Sequence, residues 1–113
     1  MTKESRSVHK KTLDYLLFHP EIFGIEKKEV FTSSSEQILF SRGKSYGRVD
    51  IIYLLRPVER GTIVVEYKSA HSSSLKRRGK IQVERAVNHF RDEGIPSIGY
   101  LLEGELPFLN GKN

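Results

Sequence analysis

Apolar residues recur along this chain at two different spacings, and the change from one to the other marks its elements. Val8, Leu13, Leu16 and Leu17 fall at near-helical intervals within 4–18, and Pro20 stops the run, which predicts a first helix. Stretches 27–33 and 37–40 read as two short strands, with the serines between them as a hairpin turn. The basic, glycine-containing stretch 42–47 reads as a loop. Positions 49–55 are apolar and β-branched, the pattern of a buried strand, and 56–61 is a turn around Pro57. The next strand covers 62–68, with Ile63, Val64 and Val65 as its buried part. A polar, basic connector over 71–79 leads into a helix over 80–93, where Val83, Ala86, Val87 and Phe90 share one face. Gly94 ends that helix, Pro96 follows, and a last short strand covers 97–102. The tail over 105–113 carries turn residues and is expected to fray.

The predicted order is helix, three or four strands, helix, strand. The second helix can act as a crossover that lays 97–102 parallel to a neighbouring strand. The expected architecture is a single α/β domain with one mixed sheet flanked by helices, which suits a chain of 113 residues.

Composition narrows the functional classes. Lys and Arg exceed Asp and Glu by 19 to 14, a net charge of +5, which favours encounter with polyanions such as nucleic acid. No apolar run approaches the ~20 residues of a membrane span, and no N-terminal stretch has the layout of a signal peptide. The absence of cysteine excludes disulfides, zinc–thiolate sites and thiol nucleophiles, and fits a cytoplasmic protein.

Polar residues interrupt the two most apolar runs. Asp50 stands among Val49, Ile51, Ile52, Tyr53, Leu54 and Leu55, and Glu66 and Lys68 close the run begun by Ile63–Val65. Side chains two apart on a strand share a face, so Glu66 and Lys68 are neighbours. If the two strands form a hairpin centred on Val58, Asp50 and Glu66 are equally far from its centre and sit across from each other. Two buried carboxylates side by side are costly without a compensating cation. Mg²⁺, or Mn²⁺, suits such a pair, because it needs only one or two protein carboxylates and takes its remaining ligands from water and substrate phosphate. An adjacent ammonium can orient the attacking water or offset charge on phosphorus. The bland alternative is a turn-capping Asp50 with a surface Glu66–Lys68 pair, which would contribute little.

Gly47-Arg48-Val49-Asp50-Ile51-Ile52 followed by Val64-Val65-Glu66-Tyr67-Lys68-Ser69 resembles the PD-(D/E)xK nuclease superfamily, which includes restriction endonucleases, archaeal Holliday-junction resolvases and RecB-like nucleases. The position before Asp50 is valine rather than the proline of the superfamily's name. The resemblance covers roughly 49–102 well and the first helix loosely. It implies a restriction-endonuclease-like αβββαβ core, Asp50 and Glu66 as metal ligands, Lys68 as the catalytic lysine, and a backbone ligand from the Val65 or Tyr67 carbonyl. It also implies a catalytic glutamine at the start of the second helix, where Gln82 stands, and a metal-facing acid on the first helix. Glu4 is the leading candidate for that acid, ahead of His9 and Asp14. The activity implied is metal-dependent hydrolysis of DNA, on branched or otherwise structured substrates.

The remaining basic residues have a direct nucleic-acid reading. Arg42, Lys44 and Arg48 precede Asp50, and Lys76, Arg77, Arg78 and Lys80 follow Lys68, so both groups are expected to flank the centre and hold phosphates. Each could equally be a solvated surface charge. A domain this small would recognise DNA shape as a homodimer, with Tyr100, Leu101, Leu102, Leu106, Phe108 and Leu109 either forming the interface or closing the core. Two other classes compete: a non-catalytic nucleic-acid-binding protein of the same fold, and an interaction protein whose basic patch meets an acidic partner.

Overall fold

The computed structural model describes residues 5–41 and 44–106. Helix α1 (Arg6–Phe18) is followed by short 3₁₀ turns at Pro20–Phe23 and Lys27–Glu29, then by strands β1 (Val30–Ser41), β2 (Lys44–Leu55) and β3 (Thr62–Lys68), helix α2 (Ser73–Asp92) and strand β4 (Ser97–Glu103). The sheet runs β1-β2-β3-β4, antiparallel except for the parallel β3–β4 pair that α2 connects. This is an α/β architecture with a mixed sheet and a helix on each face.

Side-chain alternation on β2 and β3 builds two cores. Ile51, Tyr53, Leu55, Ile63, Val65 and Tyr67 meet Leu13 and Leu16 of α1. Ile52 and Val64, joined by Leu39 and Val49, meet Ala86 and Val87 of α2, with Val83 and Phe90 packed alongside. Every residue of β3 is therefore buried, as expected of a central strand covered on both faces. The two buried tyrosines keep their hydroxyls satisfied, Tyr53 donating to the Leu16 carbonyl and Tyr67 to that of Gly104.

Three element boundaries differ from the sequence reading. Thr32–Ser35 is not a turn: these residues pair with Leu54–Ile51 inside one continuous β1, where the serines are half-buried and the Ser33 hydroxyl donates to the Leu17 carbonyl at 2.8 Å. Most of the stretch read as a loop over 42–47 belongs to β2, which begins at Lys44. Most of the connector read over 71–79 belongs to α2. Its first turn is set by Ser72, whose Oγ accepts from the Leu75 amide at 3.3 Å, and Leu75 begins a buried stripe that continues through Gly79 to Ala86 and Val87. Gly79 hid that stripe from the apolar pattern, and it is small for a reason. A Cβ there would stand 2.5 Å from Leu101 Cδ1 and 3.5 Å from Lys68 Cε, so the absent side chain lets α2 settle against β4 and the Lys68 stem.

The β2–β3 turn closes on Gly61, whose φ of 91° and ψ of −142° lie in a region open essentially to glycine. A Cβ at this position would fall 1.9 Å from the Pro96 carbonyl oxygen, which accepts from the Thr62 amide. Gly61→Ala is accordingly expected to lower the unfolding free energy by more than ~2 kcal/mol, measured by urea denaturation.

Of the apolar residues near the C-terminus, Leu101, Leu102 and Leu106 close the molecule. Leu101 lies against α2 at Gly79, while Leu102 and Leu106 pack on the α1-side core. Phe108 and Leu109, like the rest of 107–113, lie outside the described residues. Among the described residues no helix is long and apolar enough to cross a membrane.

Candidate active site

The β2–β3 register places Ile51 opposite Val65 and Tyr53 opposite Ile63, the hairpin centred on Val58 that the sequence suggests. At Ile51–Val65 this ladder stops. Beyond it β2 continues only against β1, and β3 continues only against β4, where Glu66 meets Leu101 and Lys68 meets Glu103. The sheet thus forks, and Asp50 and Glu66 stand at the first step of the fork.

Side chains replace the missing ladder bonds there. The Asp50 amide donates to Glu66 Oε1 at 3.0 Å, and the Tyr67 amide donates to Asp50 Oδ2 at 2.8 Å. Each carboxylate therefore satisfies a backbone donor of the opposite strand, which keeps the fork open without orphaning buried amides. Asp50 is 6% exposed, Glu66 1% and Lys68 5%. Lys68 Nζ lies 3.9 Å from Glu66 Oε2, so the pair is buried rather than a surface contact. Burial, and then the charge of Asp50, push the Glu66 carboxyl up to about 8, against the lowering effect of the Asp50 amide and Lys68.

Helix α1 covers the fork. Its cap residue Ser5 donates from its amide to Ser69 Oγ at 2.7 Å and accepts at Oγ from the Val8 amide at 3.3 Å, which ties the helix start to the segment just past Lys68. His9 then reaches Asp50, with Nε2 3.3 Å from Oδ2 and its ring 5.6 Å from that of Tyr67. The first-helix residue brought to the centre is therefore His9. Asp14 is exposed, and Glu4 lies outside the described residues. Spacing held the signal for His9, which is one turn before the buried Leu13.

Gln82 stands three residues beyond Gly79 on α2, half-buried, and its Oε1 is buried without a hydrogen-bond partner. It lines a depression of about 310 Å³ with Arg78, Ile81 and Arg85. Lys76, Arg77 and Lys80 are exposed on the first half of α2. Arg48 is exposed at the opposite arm of the fork, while Arg42 and the Lys44 side chain lie outside the described residues. A second groove, of about 390 Å³, is lined by Arg6, His9, Lys10, Glu36 and Arg48. Arg6 and Lys10 were not singled out by sequence, although their spacing of four puts them on one stripe of α1.

The donor set fits a hard divalent ion. Asp50 and Glu66 supply oxygen ligands, and a cation is what would relieve a carboxyl pushed up by burial and a neighbouring negative charge. Among the described residues no group of three or more His, Cys, Asp or Glu side chains is arranged to hold a metal. Two carboxylates are the protein share that Mg²⁺ or Mn²⁺ would need when its remaining ligands come from water and substrate. No known protein family, curated protein or solved structure matches this chain.

Proposed function

We propose that this protein is a Mg²⁺- or Mn²⁺-dependent endonuclease that hydrolyses phosphodiester bonds in DNA, on a restriction-endonuclease-like αβββαβ core. The observation that carries the reading is the convergence of Asp50, Glu66 and Lys68 where the β2–β3 ladder ends, all three buried. Both carboxylates accept a backbone amide across the fork, yet two acids side by side are still costly without a cation, and a pure binding surface has no use for them. That sets the non-catalytic reading behind this one.

Asp50 and Glu66 would hold the metal, which when bound stabilises negative charge on phosphorus and favours hydroxide from water. Lys68, fixed by the packing of its stem against α2, would place its ammonium beside the attacking water or the phosphoryl oxygens. His9 would orient Asp50 through the Oδ2 contact. The exposed bases of α2, Lys76, Arg77 and Lys80, would hold the DNA backbone on one side of the fork, and Arg48 on the other. A cytoplasmic homodimer meeting along β4, where Ile98 and Tyr100 are exposed, would present two such centres to a branched or duplex substrate.

The test is cleavage of supercoiled plasmid, branched DNA and single-stranded DNA, in Mg²⁺ and in EDTA. Nicking that needs Mg²⁺ and falls at least ~10³-fold in Asp50→Ala is the expected result. DNA binding with no metal-dependent nicking would move the protein to the non-catalytic class.

A further inference from the structure

The groove beside the fork contains a contradiction in charge. Arg6, Lys10 and Arg48 gather along it, and His9, on the same wall, touches Asp50. Such a set of cations next to a proposed phosphodiesterase centre suits a phosphate. Yet Glu36 stands among them, with Oε1 3.6 Å from Arg48 Nη1, both side chains being exposed.

The backbone at Glu36 is also unusual. Its φ is 51°, the left-handed region that a glutamate occupies at a cost, and it is the described non-glycine residue with positive φ. Its place in the register explains why this matters. Ser35 pairs with Ile51 and Gln37 with Val49, so Glu36 lies directly across from Asp50. The strain sits at the step where the fork opens, and it presents an acid to the groove that leads there. Among the described residues no acid stands in the first turn of α1, and Glu36 is the acid that lines this groove.

We propose that the groove lined by Arg6, Lys10 and Arg48 is a subsite for the DNA phosphate flanking the one at Asp50 and Glu66, and that Glu36 occupies it as a competing carboxylate until DNA displaces it. The inference rests on the nuclease reading for the direction of the substrate, and adds the site of the neighbouring phosphate and the device that guards it. An exposed ion pair is worth little, so the exchange of a carboxylate for a phosphate on Arg48 is readily made.

The experiment is fluorescence anisotropy of a labelled duplex in EDTA, titrated over a range of salt, with cleavage in Mg²⁺ followed separately. Arg48→Ala and Lys10→Ala are each expected to raise Kd about 5-fold and to reduce the slope of log K against log salt by about 1. Glu36→Gln is expected to lower Kd about 3-fold. Glu59→Gln, which makes the same change in net charge on the distant β2–β3 turn, is expected to leave Kd within about 1.5-fold of the parent. Equal effects of Glu36→Gln and Glu59→Gln would reduce the groove to general electrostatics and overturn the proposal, as would a parent that binds no DNA. Parental cleavage with unaltered binding in the Arg48 and Lys10 variants would overturn the subsite alone. The expected binding changes without any cleavage would uphold the subsite and overturn the catalytic reading.

Discussion

Lys68→Met is expected to lower the rate of DNA cleavage by ~10²–10⁴-fold while leaving the protein folded. Methionine is nearly as long as the lysine stem and can fill the same channel beside Gly79 and Leu101. The ammonium is the only part removed. Its loss leaves Glu66 uncharged at neutral pH, because Lys68 lowers the Glu66 pKa and without it Glu66 retains its proton to still higher pH, while the Asp50 carboxylate keeps the Tyr67 amide and His9 as its partners. Stability in EDTA at neutral pH should therefore stay close to the parent, as judged by thermal unfolding. Single-turnover cleavage at saturating enzyme separates the loss of chemistry from any change in DNA binding. A variant that cuts at the parental rate would remove Lys68 from the mechanism. One that fails to fold would make the lysine a structural counter-ion to the two acids.

The reasons some of this was legible in the sequence and some was not are physical. The hairpin of β2 and β3 follows from two apolar runs separated by a Pro-containing turn, and its register follows from symmetry about Val58. That is why the proximity of Asp50 and Glu66 could be foreseen from spacing. The parallel placement of β4 followed from the crossover rule. Misreadings arose where tertiary contacts overrode local propensity. The serines of β1 favour turns by themselves, but a paired neighbour as apolar as β2 draws them into the ladder. Gly79 looked like part of a loop because its role is to be absent where Lys68 and Leu101 pass. The fork is invisible to periodicity, since alternation along β2 is the same whether or not β3 stays paired. His9 was legible only through its place one turn before Leu13, whereas nothing in the helix pattern shows that Arg6 and Lys10 line a groove with Arg48.

Glu66→Gln is expected to stabilise the metal-free protein at alkaline pH and to abolish its stabilisation by Mg²⁺. Burial and the Asp50 charge hold the folded Glu66 proton up to about pH 8, against an ordinary value of 4.5 in the unfolded chain. Between those limits the folded state binds the extra proton, so stability falls as pH rises through the window; the contribution is complete below about 4.5 and gone above about 8. Glutamine keeps the hydrogen-bonding carbonyl for the Asp50 amide and carries no charge at any pH. In EDTA, parent and variant should melt alike near pH 4, and by pH 9 the variant should melt at least ~10 °C higher. With Mg²⁺ the ranking should reverse: an ion held by Asp50 and Glu66 would favour the ionised carboxyl, so its effect on the parental melting temperature should grow with pH and be absent in the variant. Parallel pH dependence in the two proteins would mean that Glu66 is not the group under strain. A Mg²⁺ response retained by Glu66→Gln would place the ion elsewhere. On the nuclease reading, the wild-type chain would give up stability at neutral to alkaline pH in exchange for a carboxylate that would ionise to take a cation.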